Sequence, residues 1–198
     1  MSSRRVIRAL SKGMNQIWIG IALFFGAHII PRTPLKAVLK RMLGEGPYLG
    51  LFSLASFAGL GFLVWGFLLT RAGPEDSNLF YDPPEWGRHV TMLLVLLAFI
   101  SLSASFHKGR LGLWLRHPMS FGFAFWSAGH LLANGQKTLV YMFGAFFLYA
   151  VFNIVTGTPK TYVPKPKHDI IAPLVGLLLY AIFLFGFHPW VLNLPVVG

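Results

Sequence analysis

Charge-free apolar runs recur along the chain at lengths near the roughly 20 residues that a helix needs to cross a bilayer. Six are found, over residues 14–30, 48–70, 90–106, 118–133, 138–156 and 170–190, the fourth being the shortest. Their ends carry breakers: Pro31, Arg32 and Pro34 after the first, Arg71 after the second, and Asn134-Gly135 between the fourth and fifth. Period-2 alternation does not run through these segments. In lipid the backbone must satisfy its own hydrogen bonds, so the pattern predicts an all-α, polytopic transmembrane helical bundle of about six spans.

Composition supports this. Of the 198 residues, 55% are hydrophobic and 12% charged, about half the charged fraction of soluble domains. Seventeen Lys and Arg against six Asp and Glu give a net charge of +11. On a soluble chain that charge would suggest nucleic acid. Here the cations sit between spans, so membrane lipids are the expected partner and nucleic acid is not. The absence of cysteine excludes disulfides, thiolate metal sites and a cysteine nucleophile.

Residues 1–16 contain Arg4, Arg5, Arg8 and Lys12 and no acid. They read as a basic segment that either lies on anionic lipid or resembles an organelle-targeting leader, followed by a transmembrane domain over 17–198. Sorting Lys and Arg by membrane side puts seven on the N-terminal side, including Arg71, Arg88 and Lys137. Ten fall on the other, and this imbalance favours the N-terminus outside. Four of the six acids, Glu75, Asp76, Asp82 and Glu85, fall on the N-terminal side. The expected location is the bacterial cytoplasmic membrane, with the mitochondrial inner membrane as the alternative that the leader leaves open.

All six carboxylates lie in loops or at a helix start, which argues against an ion-coupled transporter and against paired-carboxylate hydrolysis. Histidine is the remaining chemistry. His28 in FFGAHIIPR and His130 in WSAGHLLANG lie within apolar runs. Each either hydrogen-bonds between helices or ligates a metal, and two imidazoles on separate helices suit the axial positions of a haem. Their depths differ: at 1.5 Å per residue His28 lies roughly 5 Å and His130 roughly 18 Å from the same membrane face. By depth, His89 and His188 are rival partners for His130. Arg116-His117-Pro118 opens the fourth span with a cation and an imidazole at a helix N-terminus, suited to a carboxylate, a phosphate or a haem propionate. Small residues in the second span, Gly59 and Gly61 among them, and Ser101, Ser103 and Ser105 in the third, are expected to serve close helix contact.

The run RHPMSFGFAFWSAGHLLANG, residues 116–135, resembles the signature of the NnrU family of integral membrane proteins, named from denitrification gene clusters. GAHIIPR, LGEGPYLGLFSLAS, PPEWGRH and the closing span with Tyr180 and His188 agree with it in order. That family is similar to zeta-carotene isomerase, a haem b enzyme, and the resemblance implies axial histidines at His28 and His130. The isomerase has a cysteine three residues before the second histidine; this chain has Ser127, so ligand exchange through sulfur is not carried over. The resemblance implies a haem b protein of nitrogen-oxide or respiratory metabolism, with His28 and His130 on the iron and Arg116 and His117 near the propionates. Two alternatives stand beside it. One is a non-catalytic subunit of a larger respiratory or denitrification complex. The other is a membrane methyltransferase or isomerase acting on a lipid-soluble substrate, since Arg-His-Pro also resembles a motif of membrane methyltransferases.

Overall fold

Each apolar run is helical in the computed structural model, which describes residues 3–70 and 79–194, with side chains from residue 12 onward. Arg71, Glu75 and Asp76 lie outside the described residues, as do the side chains of Arg4, Arg5 and Arg8. The helices are α1 (Ser3–Ile29), α2 (Leu35–Leu43), α3 (Glu45–Thr70), α4 (Gly87–Phe106), α5 (Arg110–Trp114), α6 (Pro118–Ala133), α7 (Lys137–Thr156) and α8 (Lys167–Ile182). A π-helical segment, Phe183–Val191, continues α8. Among the described residues, five spans meet the length and hydropathy needed to cross a membrane. The other apolar helix, α6, has 16 residues. That makes it about 24 Å long, short of a hydrocarbon core of about 30 Å. From Ser3, α1 runs through the basic stretch and the first apolar run as one helix without a break. Two short helices, α2 and α5, lie in stretches that the hydropathy pattern leaves as loops.

The chain divides into two units, the first of residues 1–81 and 135–145, the second of 82–134 and 146–198. In the first, α1 and α3 meet backbone to backbone. A Cβ on Gly20 would stand 2.8 Å from the Gly59 carbonyl, one on Gly66 2.8 Å from the Gly13 carbonyl, and one on Gly59 2.6 Å from the Phe24 nitrogen. Those glycine positions let two helices approach at a distance that any side chain would prevent. Ile17 and Leu63 fill the seam between them and are fully buried. Gly61, grouped with Gly59 from the sequence, faces open space instead. Pro34 precedes α2, and Gly44, at φ +86°, turns the chain from α2 into α3. The first half of α7 joins this unit through buried Thr138, whose hydroxyl lies 3.4 Å from that of Thr70, and through Tyr141 against Trp18.

In the second unit α4 is central. Gly122 and Gly129 of α6 fit against Leu102 and Leu94, and Gly176 of α8 lets the Ile100 backbone approach. The Thr91 hydroxyl reaches both its own helix at Gly87 O (2.8 Å) and α6 at Gly129 O (2.6 Å). Ser101, Ser103 and Ser105 are buried on α4, as close helix contact requires. Outward faces carry large apolar side chains, such as Phe57, Leu54 and Trp190, that suit hydrocarbon rather than water.

Candidate functional site

His130 sits on the last turn of α6, half-buried among apolar side chains. Its Nδ1–H donates to the Trp126 carbonyl one turn back, at 2.8 Å. A carbonyl can only accept, so this bond fixes the neutral tautomer with the lone pair on Nε2, the arrangement found behind metal-ligating histidines. His188, on the π-helical segment, repeats the pattern with Nδ1 on the Phe183 carbonyl at 2.9 Å. The π-helical winding places His188 five residues beyond its acceptor. The two rings lie 6.5 Å apart between centroids and within 22° of parallel. Thr91, Met92, Val95, Tyr180 and Phe183 help wall a cavity beside them of about 50 Å³. This is room for an ion or a water or two, whereas cofactor pockets run to about 300–1,000 Å³.

The structure thus brings His130 together with His188, one of its two rivals by depth. The other, His89, is exposed in the first turn of α4. His28 belongs to the first unit. Its Nδ1 also bonds one turn back, to the Phe24 carbonyl at 2.7 Å. Its ring stacks on Phe24 at 4.3 Å and leans on Phe52 at 5.1 Å. Ser127 is wholly buried, with its hydroxyl on the Phe123 carbonyl at 2.6 Å. It is a packing residue of α6, not a group presented to a cavity.

Arg116, His117 and Pro118 stand at the opposite end of α6, twelve residues before His130 in the case of Pro118, or about 18 Å along the axis. Arg116 is exposed and adopts φ +59°, a left-handed conformation for a residue with a side chain. It ends the short helix α5, with its N–H on the Leu113 carbonyl (3.1 Å) and its own carbonyl taking the Lys160 N–H (3.2 Å). His117 is seated against Gly157, where a Cβ would come within 3.1 Å of its ring.

This end of the second unit is stitched by polar contacts between the α4–α5 turn and the chain leading into α8. Lys108 N–H donates to His168 Nδ1 at 2.8 Å, Lys165 N–H to the Lys108 carbonyl at 2.7 Å, and the Tyr162 hydroxyl to the Gly109 carbonyl at 2.8 Å. Burial, and secondly the Asp169 carboxylate, hold the Tyr162 phenol above its ordinary pKa, which keeps the donor protonated. His107 and His168 form a second ring pair, edge-on at 5.4 Å. There His168 Nδ1 is an acceptor from backbone, so the pair belongs to the stitching and does not repeat the His130–His188 tautomers. Among the described residues no group of three His, Asp or Glu side chains has metal-site geometry.

The sequence named His28, His130, Arg116 and His117 and ranked His188 behind them. It gave no weight to Thr91, whose bond to Gly129 crosses between helices and carries no local signal. A family model described as NnrU protein matches residues 16–196. No curated protein and no solved structure matches the chain. A match across nearly the whole chain, on a helical architecture with five long apolar spans among the described residues, places this membrane protein in the NnrU family.

Proposed function

We propose that the chain is a haem b-binding membrane protein of nitrogen-oxide or respiratory metabolism. His130 and His28, the pair implied by the family resemblance, would hold its iron, with His188, the rival by depth whose ring stands beside His130, as the other candidate. The observation that supports this reading is the tautomer at His130: an imidazole in an apolar setting, its Nδ1–H held by a backbone carbonyl, with a second imidazole held the same way beside it. The donor chemistry fits haem iron. The cavity beside the two rings does not admit a macrocycle as it stands, so His188 serves as a ligand only if the Phe183–Val191 segment gives way. When bound, haem supplies one-electron chemistry or a seat for a small nitrogen oxide, while the protein fixes the ligands and excludes water. The family resemblance also implies propionate contacts from Arg116 and His117, which stand at the other end of α6 from His130. The test is the absorption spectrum of the full-length protein purified in detergent after haem-replete expression. A Soret band is expected that His130→Ala removes; no Soret band in the wild type overturns the reading.

A second reading is favoured by the strained backbone of Arg116, because left-handed residues with side chains persist where the surroundings enforce them, often at functional sites. In it, Arg116 and His117 hold the anionic end of a methyl donor. Calorimetric titration with S-adenosylmethionine is expected to give heat that Arg116→Gln removes, and the absence of heat with wild type eliminates it.

A further inference from the structure

The first unit holds a groove of about 420 Å³ that the haem reading does not use. Its walls are apolar and include Gly26 and Ala27 of α1, Leu39 and Leu43 of α2, and Ala55 of α3, with one polar group among them, Tyr48. Tyr48 is 6% exposed, and its hydroxyl makes no hydrogen bond within the described residues. A buried phenol is normally partnered, and a molecule that enters the groove would bring the acceptor.

The chemistry changes sign at the edge of the groove. Lys40 Nζ lies 5.7 Å from the Tyr48 ring centroid and pairs with Glu45. On α2, Lys36 and Lys40 are helical neighbours of Leu39 and Leu43, so the cationic edge of this helix borders its groove-lining edge. Residues 30–46 carry Arg32, Lys36, Lys40 and Arg41 against Glu45 alone. Leu35, Val38 and Met42 of α2 are exposed, as on a helix that lies in the headgroup region with its apolar side in the acyl boundary. Since α1 ends and α3 begins at this same end, the groove runs inward from headgroup level.

We propose that this groove binds one molecule of anionic phospholipid. An acyl chain lies against Gly26, Ala27 and Ala55, a glycerol ester carbonyl accepts the Tyr48 hydroxyl, and the phosphate rests on Lys36 and Lys40. A neutral lipid-soluble molecule would use the walls and the phenol but not the excess of cations over Glu45 at the groove's edge.

The test is native mass spectrometry of the full-length protein in detergent supplied with dioleoyl phosphatidylglycerol or dioleoyl phosphatidylcholine, which share their chains. Wild type is expected to retain the anionic lipid about fivefold more than the zwitterionic one. Gly26→Leu fills the groove from a position where a Cβ meets nothing within 4 Å, and is expected to retain neither lipid. Gly61→Leu, at an equally open position on α3, is expected to behave as wild type. The double variant Lys36→Gln/Lys40→Gln brings the two lipids to equal retention, and Tyr48→Phe weakens both by about threefold to tenfold. Should Tyr48→Phe fail to fold, the glycine and lysine variants carry the test. Equal retention of both lipids by wild type, undiminished retention by Gly26→Leu, or complete displacement by an isoprenoid quinone overturns the proposal.

Discussion

His28 in the first unit and His130 in the second make the same hydrogen bond, Nδ1–H to a carbonyl one turn back, at 2.7 and 2.8 Å. Their neighbours differ: phenylalanine rings meet His28, and a second imidazole meets His130. The helix seams around them differ as well. In the first unit α1 and α3 interlock through paired glycines, whereas the second adds side-chain hydrogen bonds to backbone carbonyls, Thr91 on Gly129 and Tyr162 on Gly109. Residue type and burial therefore nominate both histidines equally, and only what stands across the helix interface separates them.

The largest expected effect tests that separation. His130→Ala is expected to abolish the Soret band, and comparison of His28→Ala with His188→Ala identifies the second ligand. Loss or a shift to a five-coordinate spectrum on changing His28, with His188→Ala unchanged, keeps the resemblance-implied pair; the opposite result transfers the ligand to His188. No effect of His130→Ala breaks the comparison altogether.

Next in size is the glycine seam. Gly59→Ala places a Cβ 2.6 Å from backbone, which no rotamer relieves, so a loss of about 1–3 kcal/mol is expected. It is read as a lowered Tm in a detergent thermal-shift assay. Gly61→Ala, with open space around it, is expected to change nothing. Equal behaviour of the two variants would mean that close approach is not what holds the first unit.

Arg116→Gly should act in the opposite direction. Removing the side chain from a left-handed residue relieves about 1 kcal/mol of strain, so a higher Tm is expected, accompanied by loss of whatever anion binding Arg116 provides. A lower Tm would show that the guanidinium holds the second unit together. The smallest effect is expected of Thr91→Val, which keeps shape and loses the bond to Gly129, costing about 0.5–1.5 kcal/mol. An unchanged melt there would leave packing alone as the glue between α4 and α6.

The helical class, the approximate spans and the membership in a membrane family were legible along the chain, because hydrophobic length and helix breakers are local properties set by the bilayer and by backbone hydrogen bonding. Position 116–118 as a helix start was legible for the same reason, through the N-terminal preference of proline. The continuity of α1 across residue 16 was not, since cationic residues are good helix formers and give no stop signal. Nor were α2 and α5 marked, being too short and too polar for a hydropathy window.

By itself the amino-acid order determined which residues could carry chemistry: imidazoles inside apolar runs, cations at their ends, no thiol anywhere. Tertiary structure alone decided that His188 stands beside His130, that Gly59 is locked in a seam while Gly61 is not, and that the Tyr48 hydroxyl, in an apolar groove, meets no acceptor among the described residues. The physical reason is that a helix fixes the face on which each side chain lies, whereas its partner and rotation are set by the non-local fit of one helix surface to another.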